Sequence, residues 1–487
     1  MKKKKIITSA IVLTISLTIA ALYQTFATDT TIDLNQEDLY LVNLESLNTK
    51  TVTIPANSTK TVMYRLQNTS SGRIRYAVGY TTNSSVSVKV YSDSESPEDG
   101  VVAANEYKYI KLFLENNGGE TSITLSTILG YERGGDLIVP SGITLVSEVY
   151  TPPVDISKKI SELYDSASKT TVSNNSISYN YATSVGLMND RLGGTTQSLD
   201  GGNIRYYGAD PDNYIYFNCS NYSSQTSDTC ELWRIIGVFN GRAKIVRSES
   251  IGTYSWDSSS STSNSGYGVN NWSQADVMKL LNSGYESESV GGSLYYNGAS
   301  GNCYSGRSNA TTACDFTSTG LKNEETRWMI DNATWNLGGI DSNLQIYSDE
   351  AYQYERGSEV PSGQSSTWIG GIGLIYPSDY GYATDFSQCT QNLYNYNNST
   401  SSYACRNNDW LHTGTNQWMI TNNFNSNMSV TIISSTGRAM TLNAYSSYPI
   451  IPTLYLKKST LVVSGTGTST DPYKLEDPNN LEGYVER

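Results

Sequence analysis

The sequence predicts two folded domains in series, an all-β sandwich followed by an α+β domain that is stapled by disulfides. Two observations favour this class. Residues 48–150 form short runs of alternating apolar and polar residues separated by turn residues. All six cysteines fall after residue 218, in a part of the chain with helical patterns and long polar loops. A chain of 487 residues is long enough for two domains and their connections.

The N-terminus has the pattern of an export signal. Four lysines at residues 2–5 precede an apolar stretch over residues 6–22, and Thr25-Phe26-Ala27 flanks a large residue with small ones. The apolar stretch is also long enough to span a bilayer with the lysines inside. Residues 1–28 are therefore predicted to be either a signal peptide or a membrane anchor. The rest of the chain is predicted to be extracellular, at the cell surface or secreted.

The first domain is predicted to occupy residues 29–150. Turn residues such as Asn117-Gly118-Gly119 separate its apolar runs, and no cysteine supports it. Alternation with period two and regular turns indicate an antiparallel β-sandwich with its own hydrophobic core. The predicted strands are 49–56, 59–68, 74–82, 85–92, 107–117 and 121–131.

Residues 151–180 are predicted to be a helix followed by a linker. Pro152-Pro153 ends the sandwich, and Ile156, Ile160 and Leu163 then recur on one helical face. A polar Ser/Asn stretch follows to about residue 180.

The α+β domain is predicted over 181–475, followed by a tail at 476–487. Helices are expected near 185–190, 276–284 and 323–337. Residues 231–249 indicate a core hairpin that turns at Asn240-Gly241, a sequence typical of tight turns. Arg234 lies in this hairpin and is expected to pair with a buried carboxylate.

The cysteines favour three local disulfides, because the members of each pair are close in sequence and the pairs are far apart. Other pairings remain formally open. Zinc is the alternative, but the chain has one histidine, His412, and no C-x2-C pair. Disulfides also fit an oxidising compartment. The predicted bridges are Cys219–Cys230, Cys303–Cys314 and Cys389–Cys405.

Residues 195–475 contain a strand with Trp233-Arg234, then a helix that starts at Asn271-Trp272 and ends in Leu-Asn, and late in the chain a strand with Pro and Leu. In this order of features the segments resemble an uncharacterised domain family of surface proteins from Gram-positive gut bacteria. The family's usual late Val-Arg-Pro is replaced here by Ile450-Ile451-Pro452, which lacks the arginine. No chemistry is implied by this resemblance. The segments are "GGNIRYYGADPDNYIYFNC" (201–219), "CELWRIIGVFNGRAKIVRSESIGTYSWD" (230–257), "NNWSQADVMKLLNSGYE" (270–286), "GIGLIYPSDYGYAT" (371–384) and "YPIIPTLYLKKS" (448–459).

Two further resemblances concern fold. "VTIPANSTKTVMYRLQNTSSG" (52–72) is similar to immunoglobulin-like modules of bacterial surface proteins, which implies an immunoglobulin-like sandwich. The second domain is distantly similar to C-type-lectin-like and formylglycine-generating-enzyme-like domains, which implies a lectin-like α+β architecture. The oxidase activity of the latter group uses a cysteine pair near the chain end. Cys389 and Cys405 are interpreted instead as a structural bridge.

Composition excludes some partners and favours others. The net charge of −13 argues against nucleic acid, which needs a basic surface. The chain has 38 tyrosines and only 7 phenylalanines. Tyrosine is favoured on binding surfaces, although tyrosine-rich strands also suit extracellular β-proteins.

Catalytic, metal and cofactor sites are not predicted. His412 stands alone between Trp410 and Trp418, which favours a packed ring over a base. The many carboxylates offer no spacing that selects a glycosidase pair. Asp210, Asp212 and Asn213 suit either calcium ligation or a turn, so calcium binding is left open.

The predicted ligand-binding residues are aromatic. Residues 366–384 combine aromatic rings with glycines and are predicted to include a tyrosine loop. This loop is predicted to form a recognition face for a surface glycan or protein. The alternative is that its rings pack inside the domain. The sequence therefore favours non-catalytic recognition or adhesion over a polysaccharide-acting enzyme or a purely structural surface component. The candidates are Trp368, Tyr376, Tyr380, Tyr382 and Trp410.

Overall fold

A computed structural model describes most of the chain and divides it into two compact units, residues 1–152 and 153–487. Each unit is described by itself. The described residues are 23–24, 48–56, 58–68, 73–82, 88–92, 100–116, 118–131, 137, 139–147, 153–192, 202–258, 268–307, 309–341, 344–399 and 403–480.

The first unit consists of antiparallel strands. All six strands predicted between residues 49 and 131 are present, with small shifts at their ends. Three short strands were missed, because two or three residues are too few to show an alternation of apolar and polar side chains. The strands are β1 (Tyr23–Gln24), β2 (Asn48–Ile54), β3 (Ser58–Asn68), β4 (Ile74–Thr82), β5 (Val88–Ser92), β6 (Gly100–Val102), β7 (Tyr107–Asn116), β8 (Thr121–Tyr131) and β9 (Thr144–Leu145).

These strands form two sheets around one core. One sheet has the order β1-β3-β7-β5, and the other has the order β2-β8-β4-β6 with β9 paired to β4. Alternation along each strand turns its apolar residues to the shared core, where Val62, Leu112 and Leu125 are fully buried. The unit is therefore a β-sandwich with a core of its own.

The predicted signal or anchor segment, residues 1–28, lies outside the described residues except for Tyr23–Gln24, which pairs with Gln67 and Asn68 of β3. Among the described residues, no helix is both long and apolar enough to cross a bilayer. The end of the predicted tail, residues 481–487, also lies outside the described part.

The second unit is α+β and contains a nine-stranded antiparallel sheet of order β11-β12-β13-β14-β16-β17-β28-β23, with β15 also paired to β16. The members of this sheet are β11 (Thr170–Asn174), β12 (Ile177–Ala182), β13 (Leu187–Asn189), β14 (Ile204–Tyr206), β15 (Tyr214–Phe217), β16 (Glu231–Phe239), β17 (Arg242–Arg247), β23 (Ile372–Gly373) and β28 (Thr453–Tyr455).

Smaller sheets and six short helices surround this sheet. The other strands are β10 (Val154–Asp155), β18 (Thr253–Ser255), β19 (Ser300–Tyr304), β20 (Thr311–Asp315), β21 (Ala333–Asn336), β22 (Thr367–Gly370), β24 (Gln417–Asn422), β25 (Ser429–Ile433), β26 (Ala439–Asn443), β27 (Ser447–Pro449), β29 (Leu461–Ser464) and β30 (Lys474–Leu475). The α-helices of the described part are α1 (Ile156–Ser166), α2 (Asp276–Leu281), α3 (Glu324–Met329), α4 (Ser348–Glu355), α5 (Pro377–Ala383) and α6 (Ala404–Asn407).

The hairpin of β16 and β17 is at the centre of the large sheet. Its turn is Asn240-Gly241, as predicted, with φ of 51° and 72°. Both values lie in the left-handed region that Asn and Gly tolerate best, which is why this dipeptide suits the turn. Trp233 and Ile235 of β16 are fully buried in the core. Arg234, between them, points to the other face of the sheet.

The three disulfides are confirmed. Cys219–Cys230, Cys303–Cys314 and Cys389–Cys405 are bonded, and no cysteine of the described residues is free. Each closes a short local loop. Ser220–Thr229, for example, is closed at its base by the first bridge and by a hydrogen bond from the Ser220 amide to the Thr229 carbonyl oxygen (2.7 Å).

The structure differs from the prediction in three places. The predicted linker forms a hairpin, β11 and β12, because Tyr179 and Tyr181 are buried on the large sheet. Residues 187–189 form a strand, not a helix. The predicted helix over 323–337 ends at Met329, and Ala333–Asn336 is a strand. In each case tertiary packing overrides a weak local signal.

Separate cores predict independent folding of the two units. We expect fragments 29–152 and 153–487 each to melt cooperatively. Differential scanning calorimetry of the fragments and of the whole chain measures this. Absence of a melting transition in either fragment would contradict the expectation.

Candidate functional site

The predicted tyrosine loop is not a recognition face. Tyr376, Tyr380 and Tyr382 are each at most 1% exposed. Residues 377–383 form helix α5, which begins at Pro377. The Asp379 carboxylate caps this helix by accepting a hydrogen bond from the Tyr376 backbone amide (2.9 Å). Proline at the first helical position and an acid two residues later are a helix-start signal that the sequence analysis missed. The prediction of an exposed loop was wrong.

The buried tyrosines have structural partners. The Tyr376 hydroxyl accepts the Asn336 amide (2.9 Å), and the Tyr380 hydroxyl donates to the Gly437 carbonyl oxygen (2.8 Å). Trp368 is half-buried and packs against other tryptophans. The rings of residues 366–384 therefore support the core, and of the five predicted ligand residues only Trp410 lines a cleft.

The cleft at Trp410 has a volume of about 210 Å³. We call it the Arg234–Trp410 cleft. Its polar lining comes from Tyr214, Arg234, Arg247, Ser248, Thr413 and Gln417. Its apolar lining comes from Leu232, Val246, Ile375, Trp410, Leu411 and Ile451. Two arginines line this cleft and no carboxylate does, so the lining is rich in hydrogen-bond donors.

Arg234 is held rigidly in the cleft wall. Its Nε donates to Asn213 Oδ1 (2.7 Å), and its Nη2 donates to Asp210 Oδ1 (3.0 Å) and to the Pro211 carbonyl oxygen (3.1 Å). The guanidinium carbon lies 4.2 Å from the Tyr214 ring centroid and 4.7 Å from that of Trp410. Its Nη1 has no hydrogen-bond partner among the described residues. One edge of the guanidinium is thus fixed, and one nitrogen remains able to donate.

The partner of Arg234 differs from the expected one. Asp210 is 67% exposed and does not supply a buried carboxylate. Asp210 also accepts the Tyr214 hydroxyl (2.8 Å), and Asn213 donates to the Ile235 carbonyl oxygen (2.8 Å). The turn of Asp210 and Asn213 therefore positions an arginine, and no group of three or more potential metal ligands occurs among the described residues.

Trp410 is also fixed. Its indole Nε1 donates to the Tyr206 carbonyl oxygen (3.1 Å), so the ring presents an apolar surface at a set orientation beside Arg234. Arg234 is 12% exposed, and burial lowers its pKa, although the group stays charged at any physiological pH. A charge in such a partly dry place interacts more strongly with an opposite charge than it would in water.

Two further groups, on Gln417 and Ser248, carry unused hydrogen-bonding capacity at the cleft. Gln417 is 2% exposed and its Oε1 has no partner among the described residues, and the same holds for the buried Ser248 hydroxyl. Arg247 donates a hydrogen bond to Glu231 (2.9 Å). Burial alone would lower the pKa of Arg247, but the hydrogen bond and the charge of Glu231 together raise it. Buried polar atoms without partners cost free energy, which a bound ligand with matching groups would recover.

His412 is near the cleft but is not part of its lining. Its Nε2 lies 3.2 Å from the Ser435 carbonyl oxygen, and burial lowers its pKa, so the ring is neutral at pH 7. No nucleophile or carboxylate contacts it among the hydrogen bonds of the described residues.

A pair of buried carboxyl groups, Asp257 and Asp276, lies elsewhere in this unit. Asp276 accepts the Ser258 amide (2.8 Å) and Asp257 accepts the Val269 amide (2.6 Å). Burial and the neighbouring Asp276 charge raise the pKa of Asp257 to about 8. Asp257 therefore keeps its proton at neutral pH when the chain is folded.

No protein-family model matches this chain, and none of the curated proteins is significantly similar to it. The assignment of a function therefore depends on the chemistry of the cleft.

The Asp257–Asp276 pair predicts a pH-dependent stability. An Asp in the unfolded chain has a pKa of about 3.9, so the contribution of this pair to stability is fully present below that pH. The free energy of unfolding then falls by up to about 1.4 kcal/mol per pH unit as the pH rises towards the pKa of the folded state. Asp257→Asn keeps a neutral side chain at every pH. We expect this variant to gain stability over the wild type between pH 5 and 8, measured as the free energy of unfolding in urea.

The control for this measurement is Asp228→Asn, which removes an exposed carboxyl group. Its stability should follow the wild-type pH profile. An Asp257→Asn variant that shows the same pH slope as the wild type would refute the protonated state of Asp257.

Proposed function

We propose that this protein is an exported cell-surface recognition protein, and that its Arg234–Trp410 cleft binds an acidic sugar residue of a surface glycan. The observation that carries the proposal is the donor set of the cleft. Arg234 offers an unused Nη1 beside a fixed aromatic ring, and no carboxylate in the lining opposes an anion. Bidentate and charge-assisted hydrogen bonds from arginine are the usual means of holding a carboxylate.

An acidic sugar matches both halves of the cleft. The carboxylate would accept a hydrogen bond from Arg234 Nη1, a sugar hydroxyl would donate to Gln417 Oε1, and the apolar face of the sugar ring would stack on Trp410. A cleft of about 210 Å³ accommodates a single monosaccharide unit and not a long segment of chain. A peptide carboxylate shares part of this chemistry but offers no ring face for Trp410.

Export is supported by the N-terminal pattern and by the disulfides. The chain has three disulfides, and in most organisms disulfides persist only in an oxidising compartment. The resemblance of residues 195–475 to a bacterial surface-protein domain points in the same direction. Residues 1–28 would direct export, and would tether the protein to the membrane if they are not cleaved.

The proposal also assigns a more specific fold to each of the two units. The sandwich would be an immunoglobulin-like stalk, since β3-β7-β5 and β8-β4 have the strand order of the central strands in that fold. The second unit would be lectin-like, with a central hairpin, short loops closed by disulfides, and the late strand β28 added beside β17. These assignments agree with a stalk that presents a binding domain.

A glycan array tests the ligand class. We expect binding to glycans that end in uronic or sialic acids, and at least tenfold weaker binding to the same glycans with the carboxylate converted to its methyl ester. The reason is the loss of a charge-assisted hydrogen bond, which contributes about 1.5–3 kcal/mol. Arg234→Gln should weaken acidic-glycan binding by a similar factor, measured by isothermal titration calorimetry.

Arg327→Gln is the matched control, because Arg327, like Arg234, is partly buried and paired to a carboxylate, but it does not line the cleft. It should bind as the wild type does. Equal binding of acids and their esters would overturn the ligand class. Release of a free sugar product would favour the alternative of a polysaccharide-acting enzyme.

A further inference from the structure

A lysine and an aspartate are enclosed together in the core of the second unit. Lys244 of β17 is 0% exposed and Asp379 of α5 is 2% exposed. Lys244 Nζ contacts Asp379 Oδ2 directly. The other oxygen, Asp379 Oδ1, accepts a hydrogen bond from Arg205 Nη1 (3.1 Å). The two reacting groups are thus already in contact and shielded from water.

Aromatic rings surround this contact. The Lys244 Nζ lies 4.2 Å from the ring centroid of Tyr376 and between 5.2 and 5.6 Å from those of three other residues. Burial lowers the pKa of Lys244 to about 8 despite the neighbouring Asp379 carboxylate. The neutral amine is therefore accessible near neutral pH, and a neutral amine is the nucleophilic form. Burial opposes the charge of Asp379, but Lys244 and Arg205 together hold the pKa of its carboxyl group below the usual range, so its proton has to come from the contacting Lys244 ammonium. The other three rings belong to Phe239, Trp335 and Tyr455.

We propose that Lys244 and Asp379 condense to form an intramolecular isopeptide bond. A proton first passes from the Lys244 ammonium to the Asp379 carboxylate. The amine Nζ then attacks Asp379 Cγ, and one carboxyl oxygen leaves as water with two of the nitrogen's original hydrogens. One C–O bond breaks and one C–N bond forms. The reaction needs no oxidant, reductant or activating co-reactant.

Arg205 is placed to stabilise the charge that develops on Asp379 Oδ1, the oxygen that stays, and the Tyr376 amide holds Oδ2, the oxygen that Lys244 contacts and that leaves as water. Arg205 Nη1 donates to Asp379 Oδ1, and the Tyr376 amide donates to Asp379 Oδ2 (2.9 Å). Arg205 is itself fixed by Asp190 (2.7 Å). Donors held in place before the reaction lower its barrier, as in an oxyanion hole. The hairpin and the capped helix α5 keep the nucleophile and the carbonyl carbon at contact distance.

The environment also favours the product. A buried ion pair pays a desolvation penalty that its mutual attraction does not always offset, whereas an amide is neutral. The leaving water has space nearby, since a polar cavity of about 50 Å³ shares Phe239 and Tyr455 with the aromatic shell. That volume exceeds the share of one water in the liquid.

Peptide mapping of the whole chain tests the proposal. The exported protein is reduced, alkylated, digested with trypsin and analysed by tandem mass spectrometry. We expect peptide 243–247 to be joined to peptide 357–406, with cleavage after Lys244 blocked and the joined mass one water below the sum. Recovery of linear 357–406 together with cleavage after Lys244 would overturn the proposal, whatever the variants do.

Two controls make the assignment specific. Lys279 and Glu288 form a partly exposed ion pair (2.9 Å), and their peptides should remain separate. Lys244→Arg keeps the positive charge but its guanidinium does not form this amide, so the joined peptide should disappear. If the water loss persists in this variant, it arises elsewhere in the chain and the proposal fails.

Discussion

The carboxylate of Asp379 joins three separate parts of the second unit. It caps helix α5, contacts Lys244 of β17 and accepts Arg205 of β14, which in turn binds Asp190. All four charged side chains are almost fully buried, so each depends on the others for compensation. Removing one leaves an unpaired charge in a low-dielectric interior, which is far more destabilising than losing a surface pair. The packing of α5 against the large sheet therefore depends on this cluster. The cluster also explains why tyrosines of α5 are buried, because their rings cover the charged groups.

The cleft and the charge cluster share a wall. Val246 lines the cleft, and Lys244, two residues earlier on β17, contacts Asp379. Ile375 lines the cleft as well, whereas its neighbour Tyr376 covers Lys244. Side chains two apart on a strand point to the same face, so β17 supplies both sites from one side. The cluster therefore lies directly beside the cleft, and a fixed Arg234 edge is what the proposed recognition of an anion would require.

Local signals predicted much of this molecule and long-range packing accounts for the rest. The sandwich strands, the Asn240-Gly241 turn and the disulfide pairs depend on neighbours in sequence, and they follow from periodicity, turn chemistry and spacing. The tyrosines of α5 were misread because a tyrosine looks the same on a surface and in a core. What buries them are charges on β14 and β17, more than a hundred residues away. Arg234 was noticed, but the sequence does not reveal that its partner is exposed or that its free nitrogen meets a cleft. Trp410 was named for its ring, and its cleft arises from residues spread over β15, β16, β17 and β24.

The short span of each disulfide affects how the chain matures. A protein that crosses a membrane emerges in an extended form, one end first, into an oxidising compartment. In the export proposed here, each cysteine would have its partner in the same emerging stretch, since the bridges span 11, 11 and 16 residues. A bridge can therefore close before the next cysteine pair arrives, in the order Cys219, Cys303, Cys389, and wrong pairings have little opportunity to form. In the proposed export, the bridging pattern that closes loops in the folded state would also reduce the need for disulfide isomerases.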